Sequence, residues 1–354
     1  MKGRLCISFL LLLLCALLSA VFSDSEHLPV YWINLEEMVD RKNAMNQHLQ
    51  DRGIKYHQMI KALTPHTCNL LMVDSNCNRV SLSDIAIVCS HVNALYTAIN
   101  DPSEVARKSK YFLVIEDDVR FHFDVDYKKL IASAPNDFAS IQLMMSHKIQ
   151  IESAWEHYVT SIDLHTTVRP DYFTHRPRNS TVWSAQAVLY NKDKIRSFVE
   201  KAVVRDRQGR LGYKLVTTAE YDKTEPGDIN TYKPAIACAC LFADMFVYAM
   251  AQPSYISTVP FMNSAVQGVN SSYHQDHVVF HLQGFAKVQQ IKEEMLANRT
   301  LLPDFLSPMQ PKKPLSVNLK GSIAKLAEDP VDWVDIAKKN PAKGRHVPRR
   351  FNAD

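Results

Sequence analysis

A chain of 354 residues, 46% hydrophobic and 22% charged, can bury a sizeable core and is not disordered as a whole. Its formal net charge of +4 is too small to argue for nucleic acid as a partner, and 9 glycines in the whole chain argue against a glycine-rich nucleotide cradle. No internal repeat is visible, and Cys238-Ala-Cys240 lacks the paired spacing of a zinc knuckle.

Lys2 and Arg4 precede an apolar run from Leu5 to Phe22, with Val21 and Ser23 at the small-residue positions ahead of Asp24. This predicts a secretory signal peptide over residues 1–23; at roughly 18 residues the run is also long enough for a signal anchor, so a membrane is a partner only if the segment stays uncleaved. Either outcome translocates the remainder into the secretory pathway, the endoplasmic reticulum or Golgi lumen. Sequons at Asn179, Asn270 and Asn298 fit that route. In an oxidising lumen, Cys68 and Cys77 flank a short polar loop and are the expected local disulfide, with Cys89, Cys238 and Cys240 as buried or structural thiols.

Leu28 to Leu35 is an apolar, aromatic strand ending around Asn34; Glu36 to Asp51 has helical spacing, closed by Gly53; Ile54 to Ile60 is a second strand. Ser81-Leu-Ser-Asp84 opens another helix, with Ile85, Val88, Cys89, Val92, Leu95 and Tyr96 as its apolar stripe. His91 lies inside it, and by spacing alone such a histidine is more often a hydrogen-bonded structural residue than a catalyst.

The chain is organised around Tyr111-Phe-Leu-Val-Ile-Glu-Asp-Asp118, an uninterrupted apolar run into three adjacent carboxylates. Such a run suits a strand covered on both faces in a parallel sheet, where ligands gather beyond the carboxyl ends of strands. Three neighbouring carboxylates repel one another, so a hard divalent ion is one explanation of the tip and an ordinary acidic turn the other.

Asp137 to Met145 and Thr181 to Tyr190 read as further strands, and Asp193 to Val203 as a helix. Arg205 to Tyr232 reads as a long loop or mobile lid. Asp244 stands alone as an acid in the apolar run Pro234 to Ala251, where it must find a partner or open onto a cleft; a helix-capping aspartate and a general base both fit. Tyr255 to Phe261 is expected as an edge strand ending at Pro260. His274, His277 and His281 are spaced for a metal ligand or for a half-buried strand. The expected organisation is one main α/β domain over residues 28–300 and a Pro/Lys-rich linker and basic tail over 301–354.

Together these pieces resemble glycosyltransferase family 25, the group that includes bacterial lipooligosaccharide and procollagen galactosyltransferases, over most of residues 29 to 262. The resemblance rests on Val30-Tyr-Trp-Ile-Asn34-Leu35 with Asp40-Arg41, on Leu82, Asp84-Ile85 and Ser90-His91, on Leu113 to Val119, and on Ala243-Asp244-Met245 and Val259-Pro260-Phe261. The chain departs from the family at Ala62-Leu63-Thr64-Pro65, at Ile87 and at Trp183-Ser184-Ala185-Gln186-Ala187. The resemblance implies a GT-A type fold, a Rossmann-like mixed sheet flanked by helices. It implies a UDP-sugar donor, most simply UDP-galactose, and a glycan or glycoprotein hydroxyl as acceptor, with inversion. It further implies Mn²⁺ or Mg²⁺ held by Asp118 with Glu116, nucleotide contacts from Asn34, Arg41, Glu116 and Asp117, and His91 and Asp244 as catalytic residues. Asp276 and His277 stand behind Asp244 as substitutes for the base. The competing reading is a lumenal binding or adhesion protein that keeps the fold without turnover.

Overall fold

The computed structural model describes residues 28–73, 80–164, 170–178, 180, 182–215, 242–264 and 278–309. In chain order β1 (Val30–Asn34) leads through α1 (Val39–Asp51) to β2 (His57–Lys61) and β3 (Leu70–Val73). Gly53, at φ +69°, ends α1 with Gly53 N–H and Ile54 N–H turned back onto the carbonyls of Gln50 and Leu49, a left-handed position that favours glycine. Next come α2 (Leu82–Asn100), α3 (Glu104–Lys108), β4 (Tyr111–Glu116), β5 (Val119–Phe121), β6 (Phe123–Val125), α4 (Tyr127–Ser133) and β7 (Ser140–Gln142). A reciprocal box starts α2: Ser81 Oγ accepts from Asp84 N–H, and the Asp84 carboxylate accepts from Ser81 N–H. The order continues with α5 (Lys148–Leu164), β8 (Phe173–Arg176), β9 (Ala187–Asn191), α6 (Lys192–Ala202), β10 (Val203–Arg205) and β11 (Leu211–Leu215). It closes with α7 (Ala243–Met250), β12 (Ser254–Ser257), β13 (Met262–Ser264), α8 (Val278–Ala297) and β14 (Leu306–Pro308).

Seven strands form one mixed sheet in the order β2-β1-β4-β9-β7-β12-β8. β1 runs parallel to both β2 and β4, whereas β9 is antiparallel to β4 and to β7. Both faces are covered. Val30, Trp32, Leu113 and Ile115 join a core with α1, α5 and α8, while Tyr31, Ile33, Phe112 and Val114 join a second core with α2, α6 and α7. Alternation along a strand that is buried on both sides is what makes the sequence apolar without a break. Among the described residues α2 is the one helix long and apolar enough to cross a membrane, yet most of it is buried as the core helix of the second face.

Several sequence expectations change. The disulfide joins Cys68 to Cys89, not to Cys77: the loop after β2 folds back on α2, where Ser90 Oγ accepts from Leu63 N–H at 2.7 Å, bringing the Cys68 and Cys89 Cα atoms to 6.4 Å. β12 is an inner strand between β7 and β8 rather than an edge, and it ends at Ser257, three residues before Pro260. β9 begins only at Ala187, because residues 183–185 spend backbone groups on side chains elsewhere. Part of the expected lid is built: β10 and β11 form a hairpin through Gly209, with β11 parallel to β3. His281 lies on a helix, not a strand. Residues read as the start of a linker are packed, since Phe305 and Leu306 are buried and β14 pairs with β6. The signal segment, Cys77, Asn179, residues 216–241 with Cys238 and Cys240, Asn270, His274, Asp276, His277 and the tail from residue 310 lie outside the described residues.

Candidate active site

Because β1 and β4 are parallel neighbours, with Ile33 beside Glu116, their carboxyl ends open at the same edge of the sheet. Asn34 Nδ2 donates to Asp117 Oδ2 at 2.6 Å. Arg41, on the first turn of α1 and 35% exposed, pairs with Asp117 at 2.8 Å and reaches Asp118 at 3.6 Å. β9 runs antiparallel, so the residues that precede it arrive at this edge too, with Ala187 beside Ile115. From there Gln186 Nε2 donates to both Asp118 oxygens, at 3.1 and 3.0 Å. Ser264, at the end of β13 where that strand pairs with β5, adds a hydroxyl donor to Asp118. Behind the tip, His91 Nε2 lies 3.0 Å from Glu116 Oε1, with His91 buried and the Glu116 side chain 30% exposed.

Each acid therefore has its own compensating groups, and the two neighbours differ in consequence. Burial pushes the Asp117 carboxyl up to about 6, helped by the charges of Asp118 and Glu116 and opposed by Arg41 and Asn34. Glu116 goes the other way: burial raises it, but the His91 hydrogen bond, together with the charges of His91, Arg41 and His281, holds it below the usual range. Arg120, half-buried beside the tip, donates to Val119 O at 2.8 Å and adds a second guanidinium whose charge acts on Asp118 and Asp117. Among the described residues no group of three or more His, Cys, Asp or Glu side chains is arranged to hold a metal ion by itself. The acids do fit the smaller donor set a hard dication takes when substrate phosphates complete its shell, one or two carboxylates.

Asp244 lies in the first turn of α7, half-buried, its Oδ1 accepting from Ala185 N–H at 2.9 Å. It does not cap the helix: Phe242 is the N-cap, without a side-chain bond. Burial raises its carboxyl, as does the charge of Glu116, against the Ser184 peptide, Arg176 and His91. Asp244 is thus electrostatically coupled to the same Glu116 and His91. Arg176, buried in β8, holds this arrangement: it donates to Asp244 O at 2.7 Å and to Val182 O at 2.8 Å, with its guanidinium 3.8 Å from the Tyr248 ring centre.

The structure therefore gathers Asn34, Arg41, His91, Glu116, Asp117, Asp118 and Asp244 around one sheet edge. Sequence reasoning missed Gln186, Ser264, Arg120 and Arg176. A lone glutamine at the mouth of the apolar run Ala187 to Tyr190 was the available signal for Gln186; nothing local marked the others.

Residues 27–199 match the model of a family described as Glycosyltransferase family 25 (LPS biosynthesis protein). No curated protein matches the chain. The matched span contains Asn34, Arg41, His91, the three acids and Gln186, while Asp244 and Ser264 fall beyond it. Over residues 27–199, the segment that builds its acidic tip, the chain matches glycosyltransferase family 25.

Proposed function

We propose that this site transfers galactose from UDP-galactose to a hydroxyl of a glycan or glycoprotein acceptor, with inversion, on a GT-A type scaffold in the secretory pathway. The family match supports a glycosyltransferase activity and a nucleotide-sugar donor in general. The observation that carries the finer reading is the meeting of two charge systems at one sheet edge: an acid tip faced by Arg41 and Asn34, and a separate half-buried acid, Asp244, whose proton affinity is raised.

In this reading Asn34, Arg41 and Asp117 take the nucleotide end of the donor, Arg41 matching phosphate oxygens with its planar fork. Asp118 and Glu116 would hold Mn²⁺ or Mg²⁺, which supplies positive charge for the departing diphosphate. His91 orients Glu116 from behind, since it is buried and already bonded to that carboxylate. As the acceptor oxygen bonds to the sugar's anomeric carbon, the bond to the phosphate oxygen breaks and its electron pair leaves with UDP. The acceptor's proton passes to the Asp244 carboxylate, whose raised affinity suits a general base. The other face of the carbon is attacked, hence inversion.

Asp244→Asn should therefore keep donor affinity and lower transfer by about a hundredfold or more. Isothermal titration with UDP and a radiolabelled transfer assay would check both. Equal loss of donor binding would make Asp244 a structural residue instead, and unchanged transfer would remove it from the chemistry.

A further inference from the structure

Residues 182–186 carry more fixings than a connection needs. Trp183 N–H donates to Gln150 Oε1 at 3.1 Å, and Trp183 O accepts from Gln142 Nε2 at 3.0 Å, so its peptide groups are pinned on both sides. Ser184 follows at φ +113°, a region that residues with a side chain avoid, and Tyr248 Oη donates to its carbonyl at 2.8 Å. Ala185 N–H then binds Asp244, and Gln186 binds Asp118. Four consecutive residues are tied to the two helices α5 and α7, to the candidate base and to the acid tip.

This over-determined turn presents one large apolar group outward. Trp183 is 37% exposed, one of the few large hydrophobic side chains so placed among the described residues, with the edge of Phe242 beside it at 6.4 Å between ring centres. Its position also separates it from the nucleotide end. Asn34 and Arg41 approach β4 from the β1 side, whereas this turn enters from the β9 side, where Asp244 is held.

We propose that Trp183 is the platform on which a sugar ring of the acceptor stacks, so that the acceptor is a glycan or glycoside. The inference rests on the glycosyl-transfer reading and names the acceptor class for it. A pyranose has an apolar face of C–H bonds and a rim of hydroxyls. An exposed indole on a turn whose next residues bind the carboxylates of Asp244 and Asp118 is complementary to both. Holding the turn's backbone in place positions Trp183 before substrate arrives, which lowers the ordering cost of binding.

The test uses methyl β-galactopyranoside, methyl β-glucopyranoside and methyl α-mannopyranoside as probes, read by saturation-transfer NMR on the full chain. At least one probe should receive saturation on its ring C–H protons when aromatic protons are irradiated. Trp183→Phe, which keeps an aromatic face, should hold affinity within about threefold, and Trp183→Leu, which keeps apolar bulk, should lose about three- to tenfold. Absence of binding by the parent to all three probes, or equal binding by the leucine variant, overturns the proposal. Hydrolysis of UDP-galactose by the parent, measured in the same preparation, tests the underlying reading separately: donor turnover without probe binding rejects the platform alone, and probe binding without donor turnover rejects the transferase.

Discussion

Asp117 and His48 show how burial, with neighbouring charges, moves a proton in this fold, and in opposite senses for stability. Asp117 rises from 3.8 to about 6, so its contribution is fully present below pH 3.8 and is lost as pH rises through 6. His48 falls from 6.5 to about 3 through burial and the charges of Arg120, Arg52 and His122, so it stabilises above pH 6.5 and loses that contribution as pH falls. The imidazole stacks on Phe121 and its Nε2 accepts from Phe121 N–H at 3.1 Å, a bond available only to the neutral ring. His48→Gln offers an amide oxygen instead, and should reduce the stability lost between pH 7 and pH 5 by about 2 kcal/mol, the part of the histidine's window crossed. Urea titrations of both proteins at the two pH values check this, and equal losses would contradict it. The same scale shows what was legible. Asn34, Arg41 and the three acids sit on elements whose periodicity is plain in the sequence. Gln186 and Ser264 reach Asp118 from segments separated from it by 68 and 146 positions, a proximity that no local pattern encodes.

At the scale of elements, strands buried on both faces and helices with clear caps were readable, which is why β1, α2, β4 and α6 fall where the sequence places them. Connections were not. The expected Cys68–Cys77 bridge followed proximity in sequence, whereas the backbone after β2 is drawn onto α2 by Ser90 and pairs Cys68 with Cys89, one position before Ser90 and two before His91. Closing a loop over a sequence separation of 21 contributes about 3 kcal/mol. Cys68→Ser should therefore lower the melting temperature by several degrees under non-reducing conditions, with the parent showing the same fall on reduction. Cys77→Ser should leave it unchanged. The reverse ranking in a thermal denaturation series would restore the local bridge.

Across the whole molecule, the mixed sheet explains why one edge holds all the chemistry. Parallel β1 and β4 end there, antiparallel β9 begins there, and the β5–β13 pair folds Ser264 back to it. α8 adds His281, whose charge helps hold Glu116 ionised. Asn298 is exposed ahead of a short helical turn, where its Oδ1 accepts from Thr300 N–H and Oγ1, so this sequon is open to modification. If the chain follows the secretory route, Asn298→Gln should remove one endoglycosidase-sensitive mass step, seen as a gel shift; an unshifted parent would contradict that route. The central claim is that the acid tip works on a nucleotide sugar. The most direct measurement is UDP release from UDP-galactose in the presence of Mn²⁺, comparing the parent with Asp118→Asn. Turnover in the parent, lost in a variant that still melts cooperatively at a similar temperature, is the predicted result. Equal release by both proteins, or none from any UDP-sugar by the folded parent, would contradict the account.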